Sequence, residues 1–492
     1  MKCGEWNASR ILLWQLWARR FVPSASVLVL LFALLLRTIQ YVLNPSLLVD
    51  ETSLAVNILT KTYGELCDGL DWGQAAPIGF LMLAKTCVKL FGETELALRA
   101  WPFLASCLSV YAFYRLSKEY FRGIEEIWAV LLLVLAKAHV FYAVDFKQYS
   151  TDALATVCAL LLAFRAREHR IGRGIYAVSG ALLVWFSHPV IFFLLGITMT
   201  DFTAKIFKKN KTELRQILLI GLLWSGSFVV NMLISYRRVH TQFMAVFWDP
   251  FFLQKPFFSF GSVAEIWGKI AGVFGYNFGY GVPALVPVGL CCMGCVLLFL
   301  RKRIETGYLL CPIAVAVAAY LLKQYPLFER LTLFLMPALI IFMVEGISAI
   351  RVWNRGVSRL VQTGMLVLLL YVPAMALAQA PVKETMYRPA LTFIQYHARQ
   401  NDVVLGNADS DYYFLRMPFR NVAYRFVQLD AGPEELKAIL IGTARDRDVW
   451  LIAQAGDMSD IEAAVRSSGR AMKVTPFRDY FVYRCTAKSN MK

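Results

Sequence analysis

The sequence predicts a multi-span α-helical membrane protein of about eleven transmembrane helices, followed by a small extracytoplasmic α/β domain at the C-terminal end. Three observations carry this. Of 492 residues, 58% are hydrophobic and only 17% charged, too little charge to clothe a soluble chain of this size. Apolar runs of roughly 20 residues, some shorter and paired, recur as far as residue 379. From 383 to 492 the chain turns polar and alternates helical and extended patterns.

The runs fall near 21–43, 96–117, 125–144, 151–164, 174–187, 189–204, 214–235, 283–300, 307–323, 330–350 and 358–379. The first follows Arg19 and Arg20 and lacks a small-residue cleavage site, so it reads as a retained anchor. Net charge is 51 − 34 = +17, a balance that in a soluble protein would point to nucleic acid. Here the basic residues cluster between alternate runs, which marks cytoplasmic loops and excludes nucleic acid as the expected partner. Those clusters are Arg10, Arg19 and Arg20; Arg115, Lys118 and Arg122; Arg165, Arg167, Arg170 and Arg173; Lys205, Lys208, Lys209 and Lys211; Arg301, Lys302 and Arg303; and Arg351, Arg355 and Arg359. The opposite loops hold Asp50, Glu51, Asp68, Asp71, Asp145, Asp249 and Glu265. The N-terminus is therefore expected inside and the C-terminus outside.

Two of the outer loops are long. In the first, about 44–95, the stretches 51–62 and 77–91 repeat apolar residues at helical spacing and suit interfacial helices. The second, about 236–282, mixes Gly272, Gly275, Gly279 and Gly281 with Trp248, Phe251, Phe252, Phe257, Phe258 and Phe260, a composition suited to an interfacial belt or a lipid-tail groove. In the C-terminal region Pro389–Arg399, Pro433–Ile441 and Ser459–Ser468 read as helices, and Asp402–Leu405, Asp448–Ala453 and Tyr480–Cys485 as strands. The chain thus divides into a membrane domain over 1–382 and an α/β domain over 383–492. Seven cysteines, including Cys291, Cys292 and Cys295, lie inside apolar runs, where a thiol packs as a small hydrophobe.

Ionisable residues at the membrane boundary are costly and so are the functional candidates. Asp50 and Glu51 follow the first run directly; Asp50 suits a helix N-cap, and a cap can also be a catalytic base. The segment VDFKQYSTD joins two runs with Asp145, Lys147, Tyr149 and Asp152, either as a solvated turn with a local ion pair or as a second acidic site. His188, before Pro189, either ends a run or binds a ligand, Arg99 either snorkels or serves a site, and Arg330, beside Glu329, either anchors a run at the interface or binds an anion. Arg237, Arg238 and His240 read as a solvated face.

These residues, in this order, resemble a family. An Asp-Glu pair after the first span is what protein O-mannosyltransferases and lipid A aminoarabinose transferases carry, the glycosyltransferase family 39-like group of the GT-C superfamily. QAAPIGFLMLAKTCVKLFGETELALRAWPFLAS looks like that group's Pro-containing interfacial helix, Phe-Gly turn and Arg-x-x-Pro; SHP at 187–189 and YPLFERLTLFLMPALI at 325–340 are similar to its later segments. The aminoarabinose transferases usually show Lys-Pro-Pro-Leu where this chain has Ala75-Ala76-Pro77-Ile78, so the likeness is to the superfamily, over about 40–345.

The resemblance implies transfer of a sugar from a polyprenyl-phosphate or similar lipid-linked donor to a lipid, glycan or protein acceptor, at the outer face of a bacterial cytoplasmic (inner) membrane. Asp50 would take the acceptor proton, with Glu51 orienting it, capping the helix or sharing a metal. Arg330, helped by Lys147 and His188, would bind the donor phosphate, and Asp145, Tyr149 and Arg99 would form a secondary acidic region. No cofactor is required by the pattern, although Asp50, Glu51 and Asp145 make a donor set suited to a divalent metal ion. The rival reading, a transporter or flippase of lipid-linked sugars, would place charges near the bilayer centre and show internal repeats, neither of which stands out in the sequence.

Overall fold

The computed structural model describes residues 25–207, 210–239, 246–254, 260–279, 284–350, 354–378, 386–399, 402–406, 412–413, 423–426, 433–443, 447–454, 458–478 and 480–487. The basic residues Arg10, Arg19, Arg20, Lys208, Lys209 and Arg351, together with His240, Phe257, Phe258 and Gly281, lie outside these, as do the side chains of Arg237, Arg238, Phe260 and Arg355. Packing separates two compact units. One is 1–43, 63–69 and 75–382; the other is 44–62, 70–74 and 383–492.

The first unit is a helical bundle. Its helices are α1 (Ala25–Leu43), α3 (Ile78–Phe91), α4 (Glu95–Tyr120), α5 (Ile124–Leu135), α6 (Lys137–Phe141), α7 (Tyr149–Arg167), α8 (Arg173–Phe186), α9 (Val190–Phe207), α10 (Lys211–Val239), α11 (Phe260–Phe278), α12 (Leu285–Arg301), α13 (Arg303–Leu321), α14 (Met336–Ala349) and α15 (Arg355–Ala378). Each expected apolar run coincides with a helix, because a chain in hydrocarbon must satisfy its own backbone groups. The run 125–144 is broken at Ala136, whose extended backbone separates α5 from α6. Among the described residues seven stretches are long and apolar enough to cross a membrane: α1, α4, α7, Lys211–Ser235, α13, Glu329–Ala349 and Gly356–Met375; α8 and α12 are shorter apolar helices. In the Glu329–Ala349 stretch 83% of the apolar window is buried against 17% in Lys211–Ser235, which puts α14 at the bundle centre and α10 at its rim. At that centre Gly294 of α12 and Gly346 of α14 face each other's helix backbone, at Phe342 and Leu290; a methyl on either would overlap a carbonyl.

Local signals explain the boundaries. Gly92 ends α3 with φ +85°, a conformation that favours glycine, so the Phe-Gly turn is a helix stop. Thr94 caps α4 by accepting from the Ala97 amide at 3.1 Å. Glu126 reaches back to the Gly123 amide at 3.2 Å to open α5. Gly272 and Gly275 lie within α11, and Gly279 ends it with φ +79°.

The second unit joins α2 (Val49–Thr60) to α16 (Tyr387–His397), α17 (Pro433–Gly442), α18 (Met458–Ser467) and a five-stranded sheet. The strands β1 (Val403–Gly406), β2 (Ala423–Phe426), β3 (Val449–Gln454), β4 (Arg470–Phe477) and β5 (Tyr480–Ala487) lie in the order β2-β1-β3-β5-β4. β1 runs parallel to β2 and β3, while β5 is antiparallel to β3 and β4. Leu405, Leu436, Leu440, Leu451, Ile461 and Val465 fill the core. The sequence reading finds the three helices and β1, β3 and β5 but misses β2 and β4. In β4 the alternation of Met472 and Val474 with Lys473 and Thr475 is the overlooked signal.

Candidate functional site

In the second unit Asp50 and Glu51 share the first turn of α2, where Glu51 caps the helix, one of the roles expected of it, and the N-cap reading of Asp50 is corrected. The N-cap is Leu48, with extended backbone, and Asp50 is not a cap. The Leu48 amide donates to Glu51 Oε2 at 2.7 Å, and the Leu48 carbonyl accepts from Thr52 at 2.8 Å. Glu51, fully buried, is therefore committed to the helix start. Asp50 is half-buried, one residue earlier, where the free N–H groups and dipole of the helix favour negative charge. Asn57, about two turns on, pairs with the Asp71 backbone at 2.8 and 3.3 Å, and Lys61 reaches the Asp71 carboxylate at 3.2 Å.

In the first unit the turn between α6 and α7 is buried, which overturns its reading as solvated. Asp145 is 4% exposed, Lys147 6% and Tyr149 5%. The Lys147 amide donates to the Asp145 carbonyl at 2.7 Å, and Ser150 Oγ donates to the Tyr142 carbonyl at 2.6 Å, so the turn is tightly closed. Two other elements pack onto it. Tyr276 of α11 is hydrogen-bonded to the Tyr142 hydroxyl, and Tyr142 meets Tyr149 edge-on at 4.8 Å. The guanidinium of Arg330 lies 5.9 Å from the centre of the Tyr149 ring, within cation–π range.

Arg330 stands in a tight 3₁₀ segment, Glu329–Leu335, ahead of α14 and not on the regular helix. That segment is tethered independently of the Arg330 side chain. Tyr325 donates to the Leu331 carbonyl at 3.1 Å, Thr332 Oγ1 to the Glu329 carbonyl at 2.6 Å, and Asn277 of α11 to Thr332 at 2.9 Å. Burial pushes the Tyr276 hydroxyl up to about 12; Glu329 and Asp145 push the same way, while the Tyr142 bond and Arg330 oppose them. Asp145, Glu329 and Arg330 thus all act electrostatically on Tyr276.

His188 sits in the short link between α8 and α9. Trp101 of α4 donates to Thr151 at 3.0 Å, which ties α4 to the start of α7. Arg99 is fully buried beside Glu95, at 3.9 Å, and does not snorkel. Among the aromatic residues of 236–282, the Phe251 ring is tilted against Phe328 at 4.3 Å and that of Phe252 against Tyr320 at 5.8 Å, and Phe252 is buried.

Sequence reasoning passed over Tyr142, Tyr276 and a polar network inside the bundle. Arg37 of α1 donates to Ser106 Oγ at 2.9 Å, to the Ala33 carbonyl at 3.2 Å and to His139 Nδ1 at 2.8 Å. A guanidinium only donates, so Nδ1 accepts and the Nε2–H tautomer of His139 faces Ser109 Oγ at 2.9 Å. The signal was available: Arg37 is the single charged residue in the run 21–43.

A three-carboxylate metal set does not fit. Among the described residues no group of three or more His, Cys, Asp or Glu side chains is arranged to hold a metal ion, and one carboxylate oxygen of Glu51 already accepts from the Leu48 amide.

The fold is shared with solved structures. ArnT from Cupriavidus metallidurans bound to undecaprenyl phosphate matches 93% of this chain with 97% of its own, at a TM-score of 0.53 and 13% identity. The same protein in the apo state matches with the same coverage, score and identity. No family model matches the sequence, and no curated protein does.

Proposed function

We propose that this chain is a glycosyltransferase that moves a sugar from a polyprenyl-phosphate or similar lipid-linked donor to a lipid, glycan or protein acceptor, at the outer face of a bacterial inner membrane. The observation that supports it most is the buried turn carrying Asp145, Lys147 and Tyr149 with Arg330 against it, on a fold shared with ArnT bound to undecaprenyl phosphate. Such a donor needs a partly desolvated cation for its phosphate and an apolar surround for its chain.

In this reading Asp50 accepts the proton of the acceptor hydroxyl as that oxygen bonds to the anomeric carbon. The bond from that carbon to the phosphate oxygen breaks, and the polyprenyl phosphate leaves with the electron pair. Arg330, with Lys147 and His188 as helpers, meets the charge that grows on the phosphate. Glu51 keeps the α2 start in shape and thereby supports Asp50. Asp145, Tyr149 and Arg99 form the second charged region, and no step is routed through a metal. The N-terminus lies inside, the C-terminus outside, and the chain crosses eleven times.

Purified protein incubated with radiolabelled polyprenyl-phosphate sugars and membrane acceptors tests the reading; failure of every donor would refute it. Asp50→Asn should abolish transfer and leave the protein folded, since Glu51 makes the cap and an amide cannot take the proton. Near wild-type turnover by Asp50→Asn would remove Asp50 as the base.

A further inference from the structure

The chemistry above assigns nothing to residues 383–492, yet side chains from that region hold the approach to α2 almost residue by residue. The Asn44 carbonyl accepts from Arg388 Nη2 at 3.1 Å. Ser46 Oγ accepts from the Arg388 amide at 3.2 Å, and the Leu47 amide donates to the Tyr413 hydroxyl at 2.6 Å. The next amide, Leu48, is the one that Glu51 takes. Ser46 and Leu47 are buried, so these groups cannot exchange their partners for water. Asn44 itself has φ +41°, a left-handed conformation that surrounding contacts must maintain in a residue other than glycine.

What sets the position of the Tyr413 hydroxyl is the sheet. Tyr413 stacks on Tyr387 of α16 with ring centres 5.1 Å apart and planes 26° apart, and Tyr387 meets Tyr480 of β5 edge-on, also at 5.1 Å. All three rings are within 2% of full burial. Rings packed this closely have little freedom, and β5 is an interior strand bonded on both sides. A continuous path therefore runs from the sheet through Tyr480, Tyr387 and Tyr413 to the Leu47 amide, three residues before Asp50.

We propose that the C-terminal domain is a positioning element for Asp50. Tyr413 and Arg388 fix the backbone entering α2 and so fix the direction in which the Asp50 carboxylate points. This rests on the reading of Asp50 as the base. The physical reason is that a proton acceptor must be placed to within a fraction of an ångström, and a misplacement of about 1 Å costs roughly a hundredfold in rate. A helix start is set by the few residues that lead into it, and here those residues are held from outside the helix.

The test uses the full-length protein in detergent, with hydrogen exchange over residues 44–52 as one measurement and turnover of radiolabelled undecaprenyl-phosphate sugars as the other. Tyr413→Phe keeps the ring stack and removes only the hydroxyl; Arg388→Met keeps the backbone contact to Ser46 and removes the hold on Asn44. Both should raise exchange over 44–52 by about tenfold. Both should lower kcat by about tenfold or more while the donor KM stays within about twofold, and Arg388→Lys should recover part of the loss. Arg484→Met is the control: it breaks the ion pair to buried Asp448 at 2.7 Å, loosening the same domain without touching the approach to α2. It should leave exchange over 44–52 and kcat unchanged. The proposal is overturned if exchange does not rise in either of the first two variants, if it rises with kcat intact, or if Arg484→Met lowers kcat equally. Should wild-type protein transfer no sugar, the transferase reading fails, and the exchange measurement still decides whether Tyr413 and Arg388 hold α2.

Discussion

Replacing Arg330 by alanine separates a phosphate-binding role from that of an interfacial anchor. A guanidinium can grip a phosphate through two parallel charge-assisted bonds, each worth about 1.5–3 kcal/mol where water is partly excluded. Losing both would cost about 3–6 kcal/mol, or roughly 10²- to 10⁴-fold in kcat/KM. The fold should lose much less. The side chain is half-buried, and its contact with the Tyr149 ring is worth about 0.5–1 kcal/mol. The 3₁₀ segment stays pinned by Tyr325, Thr332 and Asn277, none of which uses the Arg330 side chain. Arg330→Lys keeps the charge but loses the planar fork, so it should recover only part of the loss. The assay is donor affinity and turnover with a radiolabelled polyprenyl-phosphate sugar, alongside thermal unfolding of the same preparations. Affinity and turnover both within about twofold of wild type, under ~0.5 kcal/mol, would show Arg330 to be an anchor and move the phosphate to Lys147 and His188.

Three further outcomes are expected. Glu51→Ala should destabilise the start of α2 by about 1 kcal/mol, seen as faster amide exchange at Leu48, whereas Glu51→Gln keeps an acceptor and should cost less; equal effects would show that the Leu48 bond contributes nothing. A phosphatase fused after residue 385 should be active on the periplasmic side, and activity confined to cytoplasmic reporters would refute the eleven-span topology. Arg37→Met should lower stability in detergent by about 2–4 kcal/mol, because His139 and Ser106 lose a buried partner; an unchanged melting temperature would show the network to be dispensable.

The helices of the bundle were legible because lipid imposes a strong rule: backbone groups must bond within the segment, and any stretch long and apolar enough to cross becomes a helix. The stops were legible too, as at Gly92, where the residue type matches the backbone conformation demanded. Among the candidate residues, the types at 50–51, 145–152 and 330 stood out because charge at a membrane boundary is costly wherever the chain goes next. Their environments did not stand out. Asp145 and Lys147 lie in a short polar link that reads either as a solvated turn or as a second acidic site until α11 and the 3₁₀ segment are packed against it. Which carboxylate caps α2 depended on the single residue at which the helix begins, a distinction finer than any apolar period. Arg37 and His139 are 102 residues apart and Leu47 and Tyr413 are 366 apart, so neither pair leaves a periodic or local trace. Propensity and hydrophobic period act over a few residues, whereas the partner of a buried polar group is chosen by which elements the finished packing brings beside it.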